Sequence, residues 1–111
     1  LKELQNESGL RPTVLDDPDS YEEASGSAAI AAGILLGIRS GLLDPSYTEM
    51  GMKAVEGIID CIAEDGTVQK VSSGTSMGMD EQHYLDIVIR PMAYGQSLTS
   101  LALTQAYYLV G

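Results

Sequence analysis

Stretches that are apolar on every side alternate along this chain with stretches that keep one wet face, and the contrast predicts its elements. Residues 26–38 carry Ala28, Ala29, Ile30, Ala31, Ala32, Ile34, Leu35, Leu36 and Ile38 without a polar stripe, so the helix they predict should bury every face against protein. Its entry is polar. Ser20 or Ser25 can cap it, and Glu22 and Glu23 favour the positive end of its dipole. It should run to about Ser40, with Gly41 as its stop. Gly33 and Gly37 each cost about 1 kcal/mol against Ala in a helix interior, which predicts that they admit a closely packed neighbour. Asp44-Pro45 opens a second helix, in which Tyr47, Met50, Ala54, Val55, Ile58 and Ile62 recur at three-and-four spacing opposite Glu49, Lys53, Glu56, Asp60 and Glu64.

A buried helix joined by a short loop to an amphipathic one is the pattern of an inner and outer pair of an α/α ring, lying antiparallel. Ahead of it, residues 6–20 collect Gly9, Pro12, Asp16, Asp17, Pro18 and Asp19 and predict a connector. Leu1-Lys-Glu-Leu-Gln5 reads as the tail of a helix already under way, so the chain is expected to be the C-terminal portion of a longer polypeptide. After the turn signal Asp65-Gly66, residues 67–71 alternate as a strand would and residues 72–82 form a polar loop. Residues 84–89 are β-rich and stop before Pro91, which predicts a small two-stranded hairpin with 67–71. From Gln96 to about Val110, Leu98, Leu101, Ala102, Ala106 and Leu109 share a face and predict a second inner helix. The expected fold class is all-α with a small β-hairpin insertion.

Charge narrows the partners. Sixteen acidic against six basic residues give a net charge of -10 over 111 residues, which repels nucleic acid and anionic membrane surfaces. The longest uncharged apolar run, Gly26 to Ile38, is too short to span a bilayer, and no signal peptide is visible. The single Cys61 rules out an internal disulfide and suits a reducing, cytoplasmic compartment.

Candidate chemistry is sparse. The only histidine, His83, lies in a loop remote in sequence from Cys61, which predicts a buried structural thiol and a loop imidazole instead of a nucleophile and its base. His83 with Asp86 supplies too few ligands for a closed metal site, and no metal or cofactor is expected. Ser72-Ser-Gly-Thr-Ser-Met-Gly78 offers hydroxyls and backbone amides that can cradle sugar hydroxyls or an oxyanion, and it lacks the Lys of a phosphate loop. Glu22 and Glu23 can serve as general acid or base, although adjacent carboxylates at a helix start usually cap it. The helix starts near Ser25 and Gln96 present unpaired amides and are the better candidates for ligand contact.

Taken in order, Asp17-Pro-Asp-Ser-Tyr-Glu-Glu-Ala-Ser-Gly-Ser-Ala28, Gly37-Ile-Arg-Ser-Gly-Leu-Leu43, Glu64-Asp-Gly66, Ser73-Gly-Thr75 and Pro91-Met-Ala-Tyr-Gly-Gln96 resemble the C-terminal part of the unsaturated glycuronyl hydrolases, glycoside hydrolase family 105 and its relative family 88. The likeness covers nearly the whole chain. No single stretch is specific, and their order and spacing together are. The resemblance implies a fragment of an (α/α)6 toroid of the six-hairpin glycosidase type. It also implies an enzyme that removes a 4,5-unsaturated galacturonyl, or rhamnogalacturonyl, residue from oligosaccharides left by pectin and other polysaccharide lyases. In that chemistry an aspartic acid protonates the C4=C5 double bond, water adds at C5, and the resulting hemiketal collapses to free the second sugar.

The family's catalytic Asp belongs to an N-terminal half that this chain does not contain, so the chain alone is expected to be inactive. The resemblance assigns substrate contacts to Ser25, Ser27, Gly74, Thr75, Tyr94, Gly95 and Gln96, with an unsaturated uronic acid oligosaccharide as the partner. The family commonly has Trp where this chain has Arg11 after Gly9-Leu10, and the chain contains no tryptophan. Stacking on sugar then falls to Tyr94 or to residues outside this segment, while Arg11 is either a partner for the uronate carboxylate or a solvated loop arginine. The competing reading is a non-catalytic helical module that binds glycans or a protein partner. A toroidal sugar epimerase would place histidines at inner helix ends, and none stands there. Deprived of ring neighbours, the surface of residues 26–38 is expected to drive self-association.

Overall fold

The computed structural model describes residues 1–74 and 77–110. Its order is a 3-10 turn at Lys2–Leu4, strands β1 (Arg11–Pro12) and β2 (Glu22–Glu23), helix α1 (Ala24–Arg39), a 3-10 turn at Pro45–Tyr47, and helices α2 (Thr48–Ile59), α3 (Glu81–Leu85) and α4 (Ala93–Val110). The chain is thus mostly helical. β1 and β2 are antiparallel, with Arg11 opposite Glu23 and Pro12 opposite Glu22. They lie inside and just beyond the stretch expected to be a plain connector.

The cap of α1 is Glu23, whose carboxylate accepts from the Gly26 amide at 2.6 Å. Neither candidate serine caps it, because Ser20 spends its hydroxyl on Val14 and Asp17 in the preceding turn and Ser25 is already helical. Gly41, at φ +78°, ends the helix as predicted, with the Leu42 amide donating back to Gly37 at 2.8 Å. Ala24, Ala28, Ala31, Ile34 and Leu35 are buried, and α1 packs chiefly on α4 and α2. Burial on every side does not hold. Gly26, Ala29, Gly33 and Leu36 form an exposed stripe, with Leu36 44% exposed, because two packed helices cover only part of a cylinder.

The glycines expected to seat a neighbouring helix do not. A Cβ at Gly33 would meet nothing within 4 Å, and one at Gly37 would meet the Leu43 side chain at 2.9 Å, in the turn that follows. The close helix approach is at Gly51 on α2, where a Cβ would lie 2.7 Å from Leu35 Cδ2. That contact joins the later half of α1 to the start of α2, as a helical hairpin requires. Gly57 admits the carbonyl of Ser8 in the same way, 2.2 Å from where its Cβ would stand.

Three boundaries depart from expectation. α2 stops at Ile59 instead of reaching Glu64, because the chain doubles back around Gly66 (φ +88°), with Gln69 donating to Cys61 and Ala63 donating to Thr67. The predicted 67–71 and 84–89 hairpin is not formed as such. Residues 67–69 pair back on 61–63 through the bridge Ile62↔Val68, and the pairing with the second segment is confined to residues 71–73 against 88–90, around the bridge Ser72↔Ile89. Asp80 caps α3 by accepting from the His83 amide, which draws Tyr84 and Leu85 out of extended conformation. α4 begins at Ala93, ahead of Gln96, and buries Gly95, Thr99, Ala102 and Ala106, while Leu101 faces outward at 53% exposure.

α1 and α4 run in the same direction. Arg39, near the end of α1, donates to Gln105 at 3.1 Å and lies 5.0 Å from the Tyr108 ring, whereas the two helix starts meet around Ser72. Among the described residues no helix is long and apolar enough to cross a membrane.

The two classes of glycine predict opposite responses. Gly51→Ala should destabilise the chain by about 1–3 kcal/mol through overpacking against Leu35, and Gly33→Ala should stabilise it by up to about 1 kcal/mol through helix propensity alone. Urea unfolding of both variants checks this, and a loss of stability in Gly33→Ala would contradict the open space seen there.

Candidate functional site

Strand alternation decides what the two adjacent glutamates do. Successive side chains point to opposite faces, so Glu22 and Glu23 diverge. Glu22 turns to the connector, accepting from Asn6 at 3.0 Å and from Ser8 and pairing with Lys70 at 3.5 Å. Desolvation alone would raise its pKa, but the Ser8 and Asn6 hydrogen bonds and the Lys70 charge outweigh it, leaving the carboxyl below the ordinary glutamate range.

Glu23 turns inward and is 8% exposed. One carboxylate oxygen caps Gly26. The other accepts from the Ser25 hydroxyl at 2.6 Å and the Ser72 amide at 3.0 Å, with the Ser72 hydroxyl at 3.4 Å. Its own carbonyl accepts from Ser27 at 2.7 Å, and Ser27 in turn accepts from the Arg11 amide at 2.9 Å. Ser72 passes the connection on, since its carbonyl accepts from the Tyr94 hydroxyl at the start of α4. The Ala24 amide donates to Lys70 at 2.6 Å. Through these bonds the strand pair, α1, residues 70–72 and α4 are fixed around one opening.

That opening is a cleft of about 500 Å³ lined by Arg11, Pro12, Thr13, Leu15, Glu23, Ser25, Gly26, Ser27, Ile30, Ser72, Gly74 and Tyr94. Four of the residues singled out from the sequence, Ser25, Ser27, Gly74 and Tyr94, meet here although they are far apart along the chain. Thr75 lies outside the described residues. Gly95 and Gln96 sit elsewhere. Gly95 is buried where a Cβ would strike Val71 at 2.7 Å, so it lets α4 close on that segment. Gln96 clamps the neighbouring turn, accepting from the Val68 amide at 2.5 Å and donating to the Gly66 carbonyl at 3.0 Å.

Arg11 is not a solvated loop residue. It is 2% exposed, donates through Nε and Nη2 to the Leu1 carbonyl at 3.2 and 3.1 Å and approaches Met50 Sδ at 3.4 Å. Its Nη1 is buried and has no hydrogen-bond partner among the described residues. Burial pushes its pKa below the ordinary guanidinium value. Sequence reasoning missed this burial and the bonds of Glu23 to Ser25 and Ser72, whereas the capping expected of the Glu22–Glu23 pair falls to Glu23. The Arg11 amide bond to Ser27 and the pairing of β1 with β2 were the missing information, because they draw residues 11–13 against α1.

The remaining candidates stay apart from the cleft lining. Cys61 is buried, its thiol donates to the Gly57 carbonyl at 3.3 Å, and burial pushes its pKa up, against a smaller opposing pull from Lys70. His83 stacks edge-on against Tyr84 at 5.2 Å. Among the described residues no three His, Cys, Asp or Glu side chains converge as metal ligands would.

Residues 1–110 match the sequence profile of Glycosyl Hydrolase Family 88. The unsaturated rhamnogalacturonyl hydrolase YesR of Bacillus subtilis is 42% identical over 105 residues, which cover 92% of this chain and 29% of that enzyme. A protein of Salmonella enterica described as a possible member of the GH105 family superposes with a TM-score of 0.97 at 40% identity, over 100% of this chain and 29% of that one. A family 105 glycoside hydrolase of C. acetobutylicum gives 0.86 at 25% identity, over 96% of this chain and 34% of that one. The chain therefore spans roughly three tenths of the length of these relatives.

The lowered Glu22 pKa has a sign that acid unfolding can test. A carboxyl depressed in the folded state adds stability that is complete above its unfolded value and disappears as pH falls through the folded one. Glu22→Gln should therefore flatten the loss of stability below about pH 4.5, measured as unfolding midpoints along a pH series, and an unchanged acid limb would count against the pairing with Ser8, Asn6 and Lys70.

Proposed function

The chain belongs to Glycosyl Hydrolase Family 88, and we propose from there that it forms one wall of the sugar cleft of an unsaturated rhamnogalacturonyl hydrolase. The substrate in this reading is a lyase-generated oligosaccharide ending in a 4,5-unsaturated galacturonyl residue, and the whole fold is an (α/α)6 toroid whose inner helices include α1 and α4. The observation that carries the reading is the convergence of Ser25, Ser27, Gly74 and Tyr94 on one cleft. Parallel helices whose starts open on the same pocket are what inner helices of such a ring require, and the name of the Bacillus subtilis relative supports the substrate class.

The reaction adds a proton at C4 and water at C5, and the hemiketal then expels the second sugar as its ring opens. No nucleophile on the protein is needed. Glu23 is a poor source of the proton, since both its oxygens already accept hydrogen bonds from the chain. The acid comes from outside this chain in our reading, and residues 1–111 alone have no turnover. Cys61, buried and free, suits a cytoplasmic place of action.

The protein encoded by the complete reading frame should hydrolyse unsaturated rhamnogalacturonan disaccharide, followed by loss of the enol-ether absorbance, in preference to unsaturated chondroitin disaccharide. Loss of absorbance only with the chondroitin substrate would overturn the substrate assignment. Residues 1–111 expressed alone should self-associate through the exposed Gly26–Leu36 stripe, and a monomeric mass by light scattering would contradict that.

A further inference from the structure

We infer that this wall of the cleft is a hydrogen-bond acceptor surface that takes the hydroxyl face of an uncharged sugar and turns the uronate carboxylate away from itself. The inference rests on reading the cleft as a sugar site and adds which part of the substrate this chain holds. It follows from where the hydroxyl protons must be. A hydroxyl has one proton to give and two lone pairs to offer, and carboxylate and carbonyl oxygens can only accept. Ser25 bonds to the Glu23 carboxylate, Ser27 to the Glu23 carbonyl and Tyr94 to the Ser72 carbonyl, so each of the three has already spent its proton inside the protein. The Ser72 hydroxyl faces the same carboxylate. What Ser25 and the 37% exposed Tyr94 still present to the cleft are lone pairs.

Two of the first-turn amides of α1 that would otherwise attract an anion are occupied too. Gly26 donates to Glu23 and Ala24 to Lys70, so the positive end of α1 already holds a built-in carboxylate. At the start of α4, the Gly95 and Gln96 amides donate to Met92 at 3.0 and 3.3 Å. Arg11 is the one basic side chain in the lining, but it is bound to Leu1, and its free nitrogen is closed to solvent. A carboxylate laid on this wall would meet acceptors and the charge of Glu23. A sugar hydroxyl would meet the spare lone pairs of Ser25 and Tyr94. In the proposed substrate the uncharged ring is the rhamnose beside the uronate.

The test varies the ligand on the unaltered protein from the complete reading frame. Binding of methyl rhamnoside and of its monodeoxy and monodeoxyfluoro analogues is measured by ligand-observed NMR, which does not require turnover. Fluorine keeps a weak acceptor and loses the donor. At the hydroxyl facing the wall, deoxy and deoxyfluoro analogues should therefore lose affinity alike, by roughly fivefold to tenfold for one hydrogen bond. Ser25→Ala should weaken the rhamnoside and leave methyl galacturonoside unchanged. The inference is overturned if the fluoro analogue recovers the parent's affinity, if no position matters, if rhamnoside does not bind, or if Ser25→Ala weakens the galacturonoside instead. Hydrolysis of the unsaturated disaccharide in those cases would leave the functional reading standing while this one fell.

Discussion

Glu23 is the point on which the arrangement turns, because its side chain ties the start of α1 to Ser72, and Ser72 in turn holds Tyr94 at the start of α4. Burying an ionised carboxylate costs several kcal/mol, and the chain offsets this with donors from Gly26, Ser25 and Ser72 and with the positive end of α1. Charge-assisted bonds of this kind contribute about 1.5–3 kcal/mol each. Without the carboxylate, Ser72 would lose its anchor, and Tyr94 would lose the fixed carbonyl to which it donates. The cleft is held open by polar bonds, while apolar packing holds the helices beneath it.

That packing depends on small residues. Ala24, Ala28 and Ala31 on α1 share one core with Ala102 and Ala106 of α4, and Gly51, Gly57 and Gly95 each admit a neighbour closer than any Cβ allows. Helices that lie this near to one another bring their starts near as well. The same economy leaves the far side of α1 with Gly26, Ala29 and Gly33, too small to cover themselves.

Much of this was legible in the sequence. The body of α1 and its stop at Gly41, the opening of the next helix at Asp44-Pro45, where Asp44 accepts from Ser46 at 2.8 Å, and the run of α4 all follow from local propensity and periodicity. Four cleft residues were legible through the family resemblance. Roles set by contacts between distant segments were not. Arg11 looked solvated because nothing near it in sequence announces Ser27. Gln96 looked like a ligand because its partners Gly66 and Val68 are remote. The hairpin failed because residues 67–69 found nearer partners at 61–63. Apolar residues all round α1 predicted full burial, yet the chain supplies neighbours for only part of that surface.

The strand pair is only two residues long, and its smallness carries a constraint of its own. Because neighbours on a strand face opposite ways, sliding β2 by one position against β1 would exchange the two carboxylates, setting Glu22 into the cleft and Glu23 against Lys70. The connector from residue 13 to residue 21 can therefore gain or lose length among relatives only where the slack is taken up before Glu22. Arg11 must still arrive opposite Glu23, and a loop that looks free to drift is metered by the pair at its two ends.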